Sequence, residues 1–303
     1  MKVLVLGGGH YKGAYQAGAL PVVFDHYNPN LIIGTSVGAL NGAFIVDRIG
    51  RGLSYDLAAQ ELAGFWRGNI TGFDAIATRR SWFNLFINGV FSRWQGLVNM
   101  DKLRTLVRDN IKAKNLQVAF EKYNVRFVCT TVDVDSGDVI LFDGTSCDIV
   151  DAVLASASVP GEMSPVVAGG VELFDGGLRD PIPIKSAYRY VSDFTDKEID
   201  EILAIAIYPR EIGMMRETDT SNLLQLVNRS FEVSLGELHA RSLSDAIRAS
   251  DEGTYKADLQ IIQPYSFLDT RFGCDFLNFD SGHILGMMQA GHNDATEHFF
   301  GTF

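Results

Sequence analysis

The chain has 303 residues, 47% of them hydrophobic and 21% charged, with a formal net charge of −11 at pH 7. That length and balance describe a globular protein with a sizeable core, organised as one domain, and exclude a disordered chain. The acidic excess argues against a nucleic-acid surface, which needs clustered Lys and Arg, and against docking to anionic membranes by charge alone.

Taken in chain order, Met1 to Leu6 is apolar but stops at glycines too soon for a signal-peptide core, and no small-residue cleavage site follows. It reads as the first strand. No uncharged apolar run reaches the ~20 residues of a spanning helix. Cys129, Cys147 and Cys274 are widely spaced and form no C-x-x-C pair, so neither a zinc site nor a disulfide framework is suggested. The expectation is a soluble, cytoplasmic protein without metal or cofactor, with peripheral membrane contact left open.

Gly7-Gly8-Gly9-His10-Tyr11-Lys12-Gly13 follows the first strand and precedes a stretch of helical composition, Ala14 to Leu20, which Pro21 interrupts or kinks. Glycines there let backbone N–H groups turn inward, which suits a phosphate or a tetrahedral oxyanion. The loop fails the dinucleotide pattern G-x-G-x-x-G, and no G-K-[ST] closes it as a P-loop. Next comes Leu31 to Ile33, a buried strand, running into Gly34-Thr35-Ser36-Val37-Gly38. This G-x-S-x-G corner between strand and helix is a nucleophile elbow with Ser36 at its tip and Gly34 and Gly38 where side chains would not fit. The alternative is a Gly-rich turn with an incidental serine.

Ser54 to Gly68 carries a helical pattern. The aromatic-rich stretch after it (Phe73, Trp82, Phe83, Phe86, Phe91 and Trp94) is broken by Gly72, Gly89 and Gly96. Residues 65–97 are thus either a satellite core or a lid over an acyl-chain channel. Met100 to Asn110 reads as a helix, Val125 to Val134 as a core strand with Asp138 to Phe142 as its hairpin partner, and Asp148 to Ser156 as a helix. Val171 to Phe174 is a strand delivering Asp175, and Ile202 to Ile207 is another. Thr220 to Ser250 is a long amphipathic packing helix, Leu259 to Ile262 a last strand, and Asp280-Ser281 caps a final helix that Gly291 ends or kinks. Strands alternating with helices imply a three-layer α/β/α fold with a mostly parallel central sheet. Residues 1–208 carry the motifs, and 209–303 are expected to form a helical extension packed on them.

Gly7 to Leu20 and Ile33 to Asn41 resemble the oxyanion loop and the G-T-S-x-G-A-L-N elbow of the patatin-like acyl hydrolases and phospholipases. Asp175-Gly176-Gly177 resembles that family's D-G-G motif, and Ala155 to Val166 its A-S-x-A-x-P block. The resemblance implies a Ser-Asp dyad, Ser36 and Asp175, acting on lipid carboxylic esters, phospholipids included. Gly8 and Gly9, with Lys12 just beyond, are then the oxyanion candidates. His10 stands where the family usually has a third glycine, and if the loop turns there with positive φ the histidine carries a backbone cost of ~1 kcal/mol or more. Two alternatives stay open. One is an α/β-hydrolase triad using His239, His283, His292 or His298, all of which follow Asp175 as that order requires. The other is a catalytically silent lipid-binding protein on the same fold. Asp180, before Pro181, reads as a structural turn residue and Glu162 as a polar loop residue.

Overall fold

The computed structural model describes residues 1–79, 96, 98–209, 223–265 and 279–301. Trp82, Phe83, Phe86, Phe91 and Trp94 of the expected lid, and Cys274, lie outside the described residues. In chain order the first elements are β1 (Lys2–Leu6), α1 (Gly13–His26), β2 (Leu31–Thr35), α2 (Val37–Gly50), α3 (Tyr55–Asn69) and the short α4 (Phe73–Ile76). There follow β3 (Thr78–Arg79), β4 (Val98–Asn99), α5 (Asp101–Asn110), α6 (Ala113–Tyr123), β5 (Arg126–Asp133), β6 (Val139–Asp143) and α7 (Ile149–Ser156). Then come β7 (Val166–Ala168), β8 (Val171–Asp175), α8 (Ile184–Phe194), β9 (Glu201–Ile205), α9 (Leu223–Asp251), β10 (Asp258–Ile262) and α10 (Ser281–Phe300).

One eight-stranded sheet organises these elements, in the order β10-β9-β1-β2-β5-β8-β7 with β6 also paired to β5. β10, β9, β1, β2 and β5 are mutually parallel, whereas β6, β7 and β8 pair antiparallel, so the mostly parallel sheet expected from the sequence is present. The strands are apolar on both faces because helices cover both. Leu4, Leu6, Ile32, Leu203 and Ile205 point into the core beneath α1, α2 and α10, while Val3, Val5, Leu31, Ile33, Ile202 and Ala204 point into the core beneath α8 and α9. That alternation produces three layers. β10, far along the chain, completes an edge of the same sheet, so the C-terminal third supplies a strand as well as helices.

Several local expectations shift. Pro21 sits inside α1, which continues unbroken to His26 because Leu20, Val22, Val23 and Phe24 around it are all buried; the lost backbone hydrogen bond is outweighed by packing. Gly291 likewise does not end α10. It lies mid-helix because a Cβ there would stand 1.9 Å from the Tyr15 carbonyl oxygen, just as one at Gly18 would stand 1.9 Å from the Met288 oxygen. These two glycines let α1 and α10 touch backbone to backbone. Two helices, α6 and α8, have no counterpart in the reading of the sequence.

The register explains how two distant motifs meet. Val128 to Thr130 pair with both β2 and β6, and Thr131 and Val132 pair with both β6 and β8. A strand has only two edges, so β2 and β8 share the edge of β5 opposite β6. They run toward each other along it: β2 ends at Thr35 opposite Thr130, and β8 ends at Asp175 opposite Thr131. Neighbouring levels on a strand are ~3.3 Å apart. The two chain ends therefore abut.

Candidate active site

Ser36 occupies the corner between β2 and α2 with φ 56° and ψ −126°, a conformation that costs a non-glycine residue energy and is held by its surroundings. Those surroundings are specific. A Cβ on Gly34 would lie 2.4 Å from the Gly38 carbonyl carbon, and one on Gly38 would lie 2.2 Å from the Leu6 oxygen, so the two flanking glycines are required by close approach. The Ser36 N–H donates to Ser156 Oγ at 2.8 Å, and the Thr35 hydroxyl donates to the Asp180 carbonyl at 2.8 Å. Val37 and Gly38 are the first residues of α2, where backbone N–H groups have no intrahelical acceptor and favour negative charge.

Asp175 ends β8, with its own N–H on the Ser158 carbonyl. Its carboxylate accepts the Gly177 N–H at 2.7 Å and lies beside the Ser36 hydroxyl, which helps to hold its pKa down. Gly176 lets this turn lie on β5, since a Cβ there would be 2.2 Å from Thr130 Oγ1. Ser36 and Asp175 are 6% and 5% exposed. Burial pushes the Asp175 pKa up to about 6, against the opposing influence of the Ser36 hydroxyl, the Gly177 N–H and the His10 charge. The carboxylate is thus a far better proton acceptor than an exposed aspartate, yet still ionised at neutral pH.

The glycine-rich loop lies against both. Gly8 is so near that a Cβ on it would be 2.9 Å from Ser36 Cβ. Its N–H, however, donates to the Pro181 carbonyl at 2.9 Å, so Gly8 is not a free oxyanion donor, contrary to the expectation from sequence. Lys12 is not a donor to the crevice either. Its N–H bonds to the Gly9 carbonyl, and its ammonium stacks 4.1 Å from the centre of the Tyr208 ring. Gly9 remains, its N–H without an acceptor among the described residues. Behind the loop, Gln16 Nε2 donates to the Gly7 carbonyl, Asn41 Nδ2 donates to Gln16 Oε1 and the Gly13 carbonyl, and Trp66 Nε1 donates to Asn41 Oδ1. This buried and fully satisfied network ties the loop to α1, α2 and α3.

His10 does turn with φ 56°, in the left-handed region that histidine enters more readily than most side chains. Its Nε2 stands 3.6 Å from Glu162 Oε2, and both side chains are largely buried. Burial works against the charged imidazolium, but the adjacent Glu162 carboxylate outweighs it and the pKa is raised. This pair at the mouth of the crevice was not legible in the sequence, where the two residues are far apart and each reads as a loop residue. Of the four histidines of the triad alternative, His239 borders the crevice with both ring nitrogens on main-chain carbonyls. His283 caps α10 beside Asp280, His298 bonds to Gln260, and His292 is exposed.

From Ser36 an apolar cleft of about 100 Å³ leads away along α2, partly open to solvent. Val37, Leu40 and Phe44 of α2, Leu62 and Trp66 of α3, and Leu103 and Val107 of α5 are among its walls. Asn41 and Asn110, two polar side chains on it, have their amides bonded to protein atoms. Such a cleft accepts a hydrocarbon chain and offers little to a polar one.

A strained serine at a strand-to-helix corner lies beside a buried aspartate and a glycine-rich loop, the layout of a nucleophile elbow in an α/β protein. Residues 4–188 match the family model described as patatin-like phospholipase, and the chain belongs to that family. An uncharacterized NTE family protein of Mycobacterium tuberculosis is 26% identical over 250 residues, covering 80% of this chain and 59% of that protein. The uncharacterized protein YjjU of Escherichia coli is 28% identical over 192 residues, covering 61% of this chain and 48% of its own length. The chain thus spans about half to three fifths of the length of these two relatives. Among solved structures, VipD from Legionella pneumophila superposes with a TM-score of 0.43 at 12% identity, covering 98% of this chain and 67% of VipD.

Proposed function

We propose that the protein is a lipid acyl hydrolase that cleaves carboxylic esters with Ser36 as nucleophile and Asp175 as the base. The observation that carries this reading is the buried Asp175 beside the Ser36 hydroxyl, its pKa held near 6. As Ser36 Oγ attacks the ester carbonyl, its proton passes to Asp175. The oxyanion that forms is held by the Gly9 N–H with the amides that open α2, donors of a kind that contribute about 2.7 to 4 kcal/mol each. Collapse of the tetrahedral intermediate expels the alcohol, which takes the proton from Asp175 and leaves an acyl-Ser36 ester. Asp175 then takes a proton from water as it attacks, and the carboxylic acid is released with the Ser36 hydroxyl restored.

The apolar cleft supports a fatty acyl chain as the group transferred. Among the described residues no helix is long and apolar enough to cross a membrane. The test is to incubate the purified protein with phospholipid, with neutral lipid and with short-chain ester, and to measure released fatty acid by mass spectrometry beside Ser36→Ala. Release by the wild type that Ser36→Ala abolishes is the expected result. No release from any substrate, with no fluorophosphonate adduct, means a lipid-binding protein without turnover.

A further inference from the structure

His239 lies on α9, outside the residues that match the family model, with its ring buried against the glycine-rich loop. Its Nδ1 is 2.8 Å from the Leu235 carbonyl oxygen and its Nε2 is 3.0 Å from the Gly8 carbonyl oxygen. Burial pulls the His239 pKa down to about 4, the two carbonyls opposing and the Lys12 and His10 charges reinforcing it. At neutral pH the ring therefore carries one hydrogen. In a helix the Leu235 carbonyl already receives the main-chain N–H of residue 239, whereas the Gly8 carbonyl has no other donor among the described residues. A hydrogen on Nε2 satisfies the Gly8 carbonyl and turns the Nδ1 lone pair toward the Leu235 oxygen, an acceptor-to-acceptor contact that the fixed position of the ring imposes. Tyr208 packs 4.4 Å from the imidazole, and Lys12 Nζ lies over Tyr208 in turn, so the ring is held in place by a stack of imidazole, phenol and ammonium.

The Gly8 carbonyl and the Gly9 N–H belong to one planar trans peptide and point in opposite directions. Whatever grips the carbonyl therefore aims the N–H. Packing of a side chain cannot do it, because a Cβ on Gly9 would fall 2.3 Å from Ile207 Cδ1 and the residue must be bare backbone. Consecutive glycines left unheld are free to rotate that peptide. Resting on the acyl-hydrolase reading, we infer that His239 is a positioning residue: from α9 it fixes the Gly8–Gly9 peptide so that the Gly9 N–H meets the oxyanion on Ser36. The bond at the carbonyl also polarises the peptide and strengthens its N–H as a donor. Lys12 serves the same end through Tyr208, which accounts for a basic residue that donates nothing to the crevice.

The experiment compares kcat, KM and Tm on a p-nitrophenyl ester for the full chain carrying His239→Phe, His239→Gln, His239→Asn or Ser36→Ala. His239→Phe lowers kcat by about 10- to 100-fold, less than outright loss of a donor, with KM changed by less than about twofold. His239→Gln, whose amide N–H reaches the place of Nε2, returns kcat to within about fivefold of wild type. His239→Asn is too short to reach Gly8 and behaves like the Phe variant, and it stands in for that variant should Phe fail to fold. A folded Phe or Asn variant with wild-type kcat overturns the assignment. So does a folded Gln variant as inactive as Phe, the mark of a ring acting as base. Ser36→Ala reports on the underlying reading by itself: turnover that survives it removes the hydrolase assignment, whereas Ser36-dependent turnover indifferent to His239 removes only the positioning role.

Discussion

Asp175→Asn separates the chemistry of the site from its stability, because the two should move in opposite directions. In the folded chain the Asp175 pKa is about 6, against an ordinary value of 3.8 for an exposed aspartate. A carboxyl whose pKa is higher folded than unfolded favours the native state only while protonated. That contribution is fully present below pH 3.8 and is lost as the pH rises through about 6. At 1.36 kcal/mol for each tenfold shift, keeping the ionised group buried at pH 8 costs about 3 kcal/mol. Asparagine is neutral at every pH and retains an oxygen to accept the Gly177 N–H. The variant should therefore be more stable than wild type by up to about 3 kcal/mol at pH 8, on the order of 5 to 10 °C in Tm, and no more stable near pH 3.5. Turnover should fall by at least about 10³-fold, since base and nucleophile act as a unit. Thermal melts of both proteins at several pH values, with ester hydrolysis alongside, give both readouts. A stability difference that does not change with pH refutes the burial argument.

Other consequences follow from the same geometry. Protonated Asp175 cannot accept the Ser36 proton, so kcat/KM should rise tenfold per pH unit at low pH and level off above about 6, as a pH–rate profile on a soluble ester will show. Leu40 lies on α2 about 6 Å along the helix from Ser36, at 1.5 Å per residue, and lines the apolar cleft. Leu40→Trp should cut kcat/KM for a decanoyl ester at least about tenfold more than for an acetyl ester, a ratio read directly from chain-length assays. Asp47 is fully buried and bonded to Arg48, Arg51, the Lys112 N–H and the Asn115 amide. Asp47→Ala leaves the Lys112 N–H and the Asn115 amide without this acceptor and removes one of the two carboxylates on the buried Arg48, which keeps Glu61, and should cost about 3 kcal/mol in urea unfolding.

The elbow was legible because its constraint is local: glycines two residues either side of Ser36, between an apolar strand and a helix, admit few other conformations. Asp175 was legible through its two following glycines, one of which has no room for a side chain beside Thr130. What stayed hidden is long-range. Nothing near Ser36 or Asp175 in the sequence says that β2 and β8 meet end to end on one edge of β5. Gly8 reads as an oxyanion donor until Pro181, more than 170 residues on, is found holding its N–H. The Glu162 partner of His10 and the grip of His239 on Gly8 arise the same way, from tertiary contacts with no motif behind them. The helices α6 and α8 were hidden for a weaker reason, since neither begins with a side-chain cap. Asn124, in the left-handed conformation just past α6, was a usable stop signal. So was the spacing of Ile184, Ala187 and Val191, all buried on one face of α8.

Reaction with a fluorophosphonate probe, followed by peptide mapping, asks most directly whether one hydroxyl is made nucleophilic by one carboxylate. The account predicts a single stoichiometric adduct on Ser36, absent from Ser36→Ala and formed at least about 10²-fold more slowly in Asp175→Asn. An adduct on another residue, or on Ser36 at an undiminished rate without the Asp175 carboxylate, would contradict it.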